Sequence, residues 1–288
     1  MKRIGIITIN DNNNYGNRLQ NYAVQEYLKR LGFEVETLRN VEASNDKKKF
    51  ILRLIKKKLK ENKHNLTERD RCFKFFNNNI KFSENKITAF SHIKNKYDYF
   101  IVGSDQVWNP NIGRLRDVDL LSFADSKQRI SLSASFGVNC ISKEDKKKIK
   151  KELYKFKSIS VREEAGKRII NDVLPRNDVE VLIDPTMLLT ADEWDKVAKK
   201  PKQLDNLKNK RYILTYFLGN LSMDKKGKIE EIAQKNNCEI INILDKNSPF
   251  YQTGPSEFLY LEKNAILICT DSFHSSAVNN IVGSINTS

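Results

Sequence analysis

Histidine is scarce and cysteine is scattered. Among 288 residues there are three histidines, and the four cysteines (Cys72, Cys140, Cys238, Cys269) lie far apart with no C-x-x-C pair. Structural zinc and a disulfide framework therefore both lack support, and no metal is expected. No run approaches the roughly 18 uncharged apolar residues that a membrane span requires, and the apolar part of MKRIGIITIN is too short for a signal peptide, so a cytoplasmic location is expected. There is no G-x-x-x-x-G-K-[ST] phosphate loop, no glycine-rich dinucleotide fingerprint and no G-x-S-x-G nucleophile elbow. Zinc fingers, RNP-like aromatic blocks and a helix-turn-helix are missing too. The net charge of +15, from 51 Lys and Arg against 36 Asp and Glu, is spread widely and does not by itself indicate a nucleic-acid partner. No repeat of 20–50 residues is visible.

What is present is a chain with 39% hydrophobic residues, enough for a real core, and a length of about two domains at roughly 150 residues each. Arg3 to Ile9 is a β-branched apolar run that enters a polar loop. Leu19, Tyr22, Ala23, Tyr27, Leu28 and Leu31 then recur at helical spacing, Gly32 supplies the stop, and Phe33 to Leu38 is a second strand. Strand, helix, strand at this length is the βαβ unit of a parallel sheet, whose ligands collect at the carboxyl ends of the strands. Further strands are predicted at Tyr99 to Val102, Ile130 to Ala134, Ser158 to Val161 and Val179 to Ile183. After a polar stretch around Pro201 come Tyr212 to Phe217, a helix over Lys225 to Lys235, Glu239 to Ile243, a helix opened by Gly254-Pro255, and Ala265 to Thr270. The expected organisation is an α/β domain over 1–200, a linker over 201–210 and a second α/β domain over 211–288.

Four loops after predicted strands are rich in small and polar residues. Asn12-Asn13-Asn14-Tyr15-Gly16-Asn17-Arg18-Leu19-Gln20 is equally a ligand loop at a helix N-terminus or an ordinary asparagine-capped turn. In Gly103-Ser104-Asp105-Gln106-Val107-Trp108, the tryptophan can stack on a sugar ring whose hydroxyls bond Asp105 and Gln106, or it can pack under a capped helix start. Arg162, in Ser160-Val161-Arg162-Glu163-Glu164, can hold a carboxylate or phosphate with two parallel hydrogen bonds, or simply pair with Glu163 or Glu164. His274 sits among hydroxyls in Thr270-Asp271-Ser272-Phe273-His274-Ser275-Ser276, and an imidazole there can donate or take a proton near neutral pH.

These loops in this order resemble the polysaccharide pyruvyl transferase family. The resemblance rests on Asn14-Tyr15-Gly16 with Leu19-Gln20, on Val102-Gly103-Ser104-Asp105-Gln106-Val107-Trp108-Asn109 and on Ser133-Ala134-Ser135-Phe136-Gly137. It continues through Ser160-Val161-Arg162-Glu163, Asp184-Pro185-Thr186, Gly254-Pro255-x-Glu257-Phe258 and Asp271-Ser272-Phe273-His274. The resemblance implies two Rossmann-like domains facing a cleft, as in the GT-B glycosyltransferases, and transfer of pyruvate from phosphoenolpyruvate to a sugar of a surface polysaccharide or its lipid-linked precursor as a ketal. It implies no cofactor, phosphoenolpyruvate being a substrate. It assigns Arg162 to the donor's anionic groups and His274 to proton donation, the two facing one another across the cleft. Some relatives carry a second arginine two residues before the histidine; Ser272 stands there, so the donor's other anionic group is expected on backbone N–H groups at the helix start. Asp105 is the choice for orienting or deprotonating the acceptor hydroxyl, with Asn14, Gly16, Gln20, Gly103, Ser104, Gln106 and Trp108 around the substrates.

Two more expectations concern the ends of the argument. Lys47 to Lys60 carries eight Lys or Arg and no acids, with Phe50, Ile51, Leu54, Ile55 and Leu59 on one helical stripe. It is either a surface helix of the first domain or a contact with the inner face of an anionic membrane or a lipid-linked acceptor. The second α/β half is short, and the resemblance implies a helix, strand and helix beyond Asp271-Ser272-Phe273-His274, so a truncated domain with weak or no activity is expected. The alternative function is a non-catalytic or nucleotide-sugar-dependent glycosyltransferase-like relative on the same fold.

Overall fold

A computed structural model describes residues 1–10, 14–40, 67–88, 92–208 and 211–283. In chain order the elements are β1 (Arg3–Ile7), α1 (Tyr15–Arg30), β2 (Glu34–Asn40), α2 (Glu68–Phe76), β3 (Phe82–Ile87), β4 (Tyr99–Val102), β5 (Arg129–Ala134), α3 (Lys143–Leu153), β6 (Ser158–Val161), α4 (Glu164–Asn171) and β7 (Val179–Val181). They continue with α5 (Ala191–Asp195), β8 (Tyr212–Tyr216), α6 (Met223–Lys235), β9 (Glu239–Asn242), α7 (Pro255–Asn264), β10 (Leu267–Thr270) and α8 (Phe273–Val282). The chain forms two compact units. One comprises residues 1–11, 20–65 and 80–185; the other comprises 12–19, 66–79 and 186–288. The basic run 47–60 lies outside the described residues.

The first unit holds a seven-stranded parallel sheet in the order β3-β2-β1-β4-β5-β6-β7. The chain winds one way from β1 through β2 to β3 and the other way from β4 to β7. The order therefore reverses between β1 and β4, where open α/β sheets bind ligands at the carboxyl ends of their strands. β4 is Tyr-Phe-Ile-Val, buried at its last three positions, which is the continuous apolar run of a strand covered on both faces. Phe100, Trp108 and Phe136 are wholly buried in this core, each worth about 1.5–3 kcal/mol. α3 starts where the Ser142 hydroxyl accepts from the Asp145 N–H (3.0 Å), and it buries Ile149 and Leu153 beneath a lysine-rich outer face.

The second unit holds the parallel sheet β10-β8-β9, with Thr270 opposite Tyr216 and Thr215 opposite Asn242. α6 lays Ile229 and Ala233 on Ile213 of β8. α7 begins as its Gly254-Pro255 start suggested, with Pro255 in the first turn and the Gly254 N–H donating to Glu257 Oε2 (3.1 Å). The α/β alternation expected from the sequence is the one found. Among the elements the sequence did not place are β3 and α2. β3 (Phe-Ser-Glu-Asn-Lys-Ile) is an edge strand, buried only at Ser83 and Ile87, and its three middle residues are exposed and polar. α2 opens with a capping box between Thr67 and Asp70 and buries only Phe73 and Phe76. No helix among the described residues is long and apolar enough to cross a membrane. Among the same residues, no group of three or more His, Cys, Asp or Glu is placed to hold a metal ion.

Candidate active-site residues

In the first unit, three loops at the carboxyl edge of the sheet are tied together by side chains from the sequence motifs. Gln20, in α1, donates through Nε2 to Thr8 Oγ1 at the end of β1 (2.7 Å), and its Oε1 accepts from the Ser104 N–H after β4 (3.1 Å). Ser104 Oγ donates to Asp184 Oδ2 (2.7 Å), and Arg162 Nη1 donates to the same oxygen (3.1 Å). Gln20, Ser104 and Asp184 are fully buried. The structure thus uses Gln20 and Ser104 as internal ties between strand ends.

Arg162 is the member of this group with a side chain still 11% exposed, at the end of β6. Its close carboxylate is Asp184, not either glutamate after it. Glu163 Oε2 stands 3.9 Å away, while Glu163 Oε1 accepts from Ser135 Oγ (3.0 Å) and the Phe136 N–H (2.8 Å). Glu163 therefore fixes the Ser135-Phe136-Gly137 loop, and the fully buried Asp184 orients the guanidinium. Nothing in Asp184-Pro185-Thr186 as a sequence points to this role of Asp184.

The loop after β4 is folded around Gly103. Its φ is +127°, and a Cβ there would lie 2.1 Å from the Leu132 carbonyl oxygen, so only glycine lets the loop pass β5 so closely. Asp105, nearly buried, adopts φ +71°, a left-handed conformation that Asp tolerates better than most residues. Its carboxylate accepts from the Gln106 N–H (2.8 Å), and its carbonyl accepts from the Ser135 N–H (3.0 Å). Gln106 Oε1 accepts from Asn109 Nδ2 (2.7 Å) and lies 2.7 Å from where a Cβ on Gly137 would be. The expectation for Trp108 needs correction. It has no exposed face, its Nε1–H donates to the Asp119 carbonyl (3.0 Å), and Phe136 and Phe156 flank the indole at 5.4 and 6.1 Å. It is the tryptophan packed beneath a turn, not a stacking platform, because a buried indole keeps its one donor satisfied internally.

In the second unit, the first and last motifs come together. Asn14 Oδ1 accepts from the Asn17 N–H (3.2 Å), capping α1. Asn12 and Asn13 lie outside the described residues. Tyr15 is buried, stacked on Phe258 of α7 at 4.6 Å with Tyr216 edge-on at 5.6 Å, and its hydroxyl contacts the Thr253 carbonyl (3.0 Å). Arg69 of α2 closes the cluster. Its Nη1 donates to Tyr15 Oη (2.6 Å) and to the Tyr251 carbonyl (2.9 Å), and its guanidinium carbon lies 4.7, 5.1 and 4.8 Å from the rings of Tyr15, Phe73 and Tyr251. Burial raises the Tyr15 phenol above its usual range against the opposing pull of Arg69.

This clamp sets Gly16 directly against His274, where a Cβ on Gly16 would stand 2.4 Å from Nδ1 and 2.6 Å from Cγ. His274 lies in the first turn of α8, partly buried. Ser272 is the N-cap, its hydroxyl accepting from the Ser275 N–H (3.4 Å), and Ser276 Oγ donates to the Ser272 carbonyl (3.2 Å). Before the turn, Asp271 accepts from the Leu218 and Gly219 N–H groups at 2.6 and 3.0 Å, which hold its carboxyl below the usual range. The Ser272 hydroxyl is therefore occupied in capping α8. Sequence reasoning missed Arg69 and Glu262, whose Oε1 accepts from Ser275 Oγ. Neither lies in a motif, and only the packing of α2 and α7 reveals them.

An imidazole held between two helix starts in one unit and an arginine oriented by a buried carboxylate in the other are groups suited to proton transfer and to anion recognition. No curated protein matches the chain. The family model described as polysaccharide pyruvyl transferase matches residues 14–278, from the asparagine that caps α1 to the helix that carries His274, and the chain belongs to that family.

Proposed function

We propose that the chain transfers pyruvate from phosphoenolpyruvate to a sugar of a surface polysaccharide, or of its lipid-linked precursor, as a ketal, on the GT-B-like two-domain plan that the family implies. The observation that carries this reading is the meeting of Gly16 and His274 inside one unit, which supports a common site for the first and last family motifs around an imidazole.

In this reading His274 delivers a proton to C3 of phosphoenolpyruvate, turning the enol carbon into a methyl group while C2 becomes electrophilic. One sugar hydroxyl adds to C2 and gives its proton to a base, for which Asp105 is the candidate. A second hydroxyl then displaces phosphate from C2, its proton leaving with the phosphate, which completes the ketal. Arg162 serves the donor's anionic groups, and Asp184 keeps its guanidinium in one orientation. Backbone N–H groups of the α8 first turn stand in for the arginine that some relatives carry where this chain has Ser272. Asn14, Gly16, Gly103 and Gln106 shape the acceptor side. The protein acts in the cytoplasm, and the basic run 47–60 is the proposed contact with the anionic inner face of a membrane.

The test is phosphate release from phosphoenolpyruvate in the presence of candidate sugar acceptors. Acceptor-dependent release with pyruvate retained on the sugar supports the reading. Turnover of a nucleotide sugar, with phosphoenolpyruvate untouched, contradicts it.

A further inference from the structure

The deepest buried acid among the described residues of the second unit has no part in the chemistry above. Glu262, on α7, is 1% exposed. Its Oε1 accepts from Ser275 Oγ, while its Oε2 is buried with no hydrogen-bond partner among the described residues. Leaving a charged oxygen without a donor in such a place costs several kcal/mol, and a leucine or methionine would fill the space more cheaply. Burial raises the Glu262 carboxyl from an ordinary 4.5 to about 8, with the Ser275 bond opposing, so the group is protonated at neutral pH.

Its one bond is well placed. Ser275 is itself fully buried, follows His274 directly and donates its N–H to the N-cap hydroxyl of Ser272. The first turn of α8 is thus secured to the helix start by serine hydroxyls and to α7 by Glu262, while Gly16 bounds the His274 ring at Nδ1 and Cγ.

We propose that Glu262 is a positioning residue for His274, a buried carboxyl that anchors the histidine's turn through Ser275 and displaces that turn when its unpartnered oxygen must take up a charge. This rests on the reading of His274 as the proton donor. The mechanism is local. An ionised Glu262 accepts more strongly from Ser275, but its buried Oε2 then needs a donor or water, and admitting one there moves α7 against the first turn of α8. The other titratable groups around it do not replace this role. From β8 come the phenols of Tyr212 and Tyr216, both pushed up by burial with Glu262 adding to the effect. Tyr212 donates instead to the Leu261 carbonyl (3.1 Å), and Arg69 and Asp271 act on Tyr216. α2 brings Cys72 against Gly254 at the start of α7, and α5 brings Asp195, which pairs with the exposed Lys263. α8 brings Ser275 and His274.

The experiment follows the His274 ring and turnover together as pH rises from about 6 to 9.5 in the wild-type chain, Glu262→Gln and Glu262→Leu. With three histidines in the chain, each ring can be assigned by nuclear magnetic resonance. The wild-type His274 signals are expected to shift through a transition near pH 8 that Glu262→Gln lacks, with kcat falling on the same limb and KM for phosphoenolpyruvate little changed. Glu262→Gln, which keeps the shape of the neutral carboxyl and its acceptor oxygen, should retain near-wild-type kcat and lose the alkaline limb. Glu262→Leu, which keeps the packing without the anchor, should lower kcat about tenfold at every pH. The proposal is overturned if the His274 transition is absent from the wild type or persists in Glu262→Gln, or if Glu262→Leu equals wild type. If no variant and no wild-type sample turns over phosphoenolpyruvate, the transferase reading fails, while the ring signals still decide for or against the anchoring by Glu262.

Discussion

Replacing Gly16 by alanine separates the chemistry of the site from the stability of the fold. Gly16 is the second residue of α1 and has no unusual backbone conformation, so alanine there should by itself stabilise the chain by about 0.4–1 kcal/mol through the unfolded state. The new methyl, however, meets His274 Nδ1 at 2.4 Å, Cγ at 2.6 Å and Cβ at 3.0 Å. Comfortable contact needs roughly 3.5 Å, so the imidazole must retreat by about 1 Å. Ring and stem are both hit, so no single rotation of the side chain clears all three atoms. Overpacking of this kind costs about 1–3 kcal/mol, part of which the alanine gain offsets. A displacement of about 1 Å at a proton donor costs on the order of 10²-fold in rate. The expected outcome is a melting temperature within a few degrees of wild type, kcat for acceptor-dependent phosphate release down about 100-fold, KM for phosphoenolpyruvate nearly unchanged, and displaced His274 ring signals. A Gly16→Ala protein with wild-type kcat would refute the reasoning, because the ring could not then be both against Gly16 and at the reacting carbon.

Other perturbations have equally definite outcomes. His274→Ala should keep the fold by circular dichroism and lose turnover by about 10²–10⁴-fold; undiminished turnover excludes it as the acid. Asp184→Ala strips the fully buried carboxylate from Arg162 and Ser104, and denaturant titration should show a loss of about 3–5 kcal/mol, a loss under 1 kcal/mol contradicting the assigned pairing. Arg69→Met removes charge-assisted bonds to Tyr15 and Tyr251 and three ring contacts, and should destabilise the chain by about 2–4 kcal/mol on the same measurement. Because the folded-state Glu262 carboxyl titrates near 8 against 4.5 when unfolded, its contribution is complete below about pH 4.5 and is lost as pH rises through 8. Wild type should therefore lose roughly 3–4 kcal/mol of stability between about pH 5 and pH 8 that Glu262→Gln does not lose, and equal slopes for the two proteins would show that this carboxyl titrates normally.

The parallel sheet was legible because its strands are the covered kind. Tyr-Phe-Ile-Val in β4 and Ser-Ile-Ser-Val in β6 are found where the apolar runs put them. β3 escaped because its middle residues face solvent and its sequence carries no alternation to betray it. The motif loops were visible as clusters of small and polar residues at strand ends, but not the use made of each side chain. A glutamine, a serine and a tryptophan look the same in sequence whether they face a ligand or the core, and Gln20, Ser104 and Trp108 prove buried. The bond from Tyr15 to Thr253 spans 238 residues, and no local pattern encodes it. Glu262 was hidden for a different reason. In Phe-Leu-Tyr-Leu-Glu-Lys it resembles an ordinary surface charge near a helix end, and only the docking of α8 makes it internal.

The most direct test of the central claim is binding of phosphoenolpyruvate to the whole chain by isothermal calorimetry, since it needs no knowledge of the acceptor. Saturable one-to-one binding is expected, weakened at least tenfold in Arg162→Ala and little changed in His274→Ala, because the first holds the donor's anions and the second supplies a proton only afterwards. No heat with phosphoenolpyruvate at millimolar concentration, alongside saturable binding of a nucleotide sugar, would contradict the account.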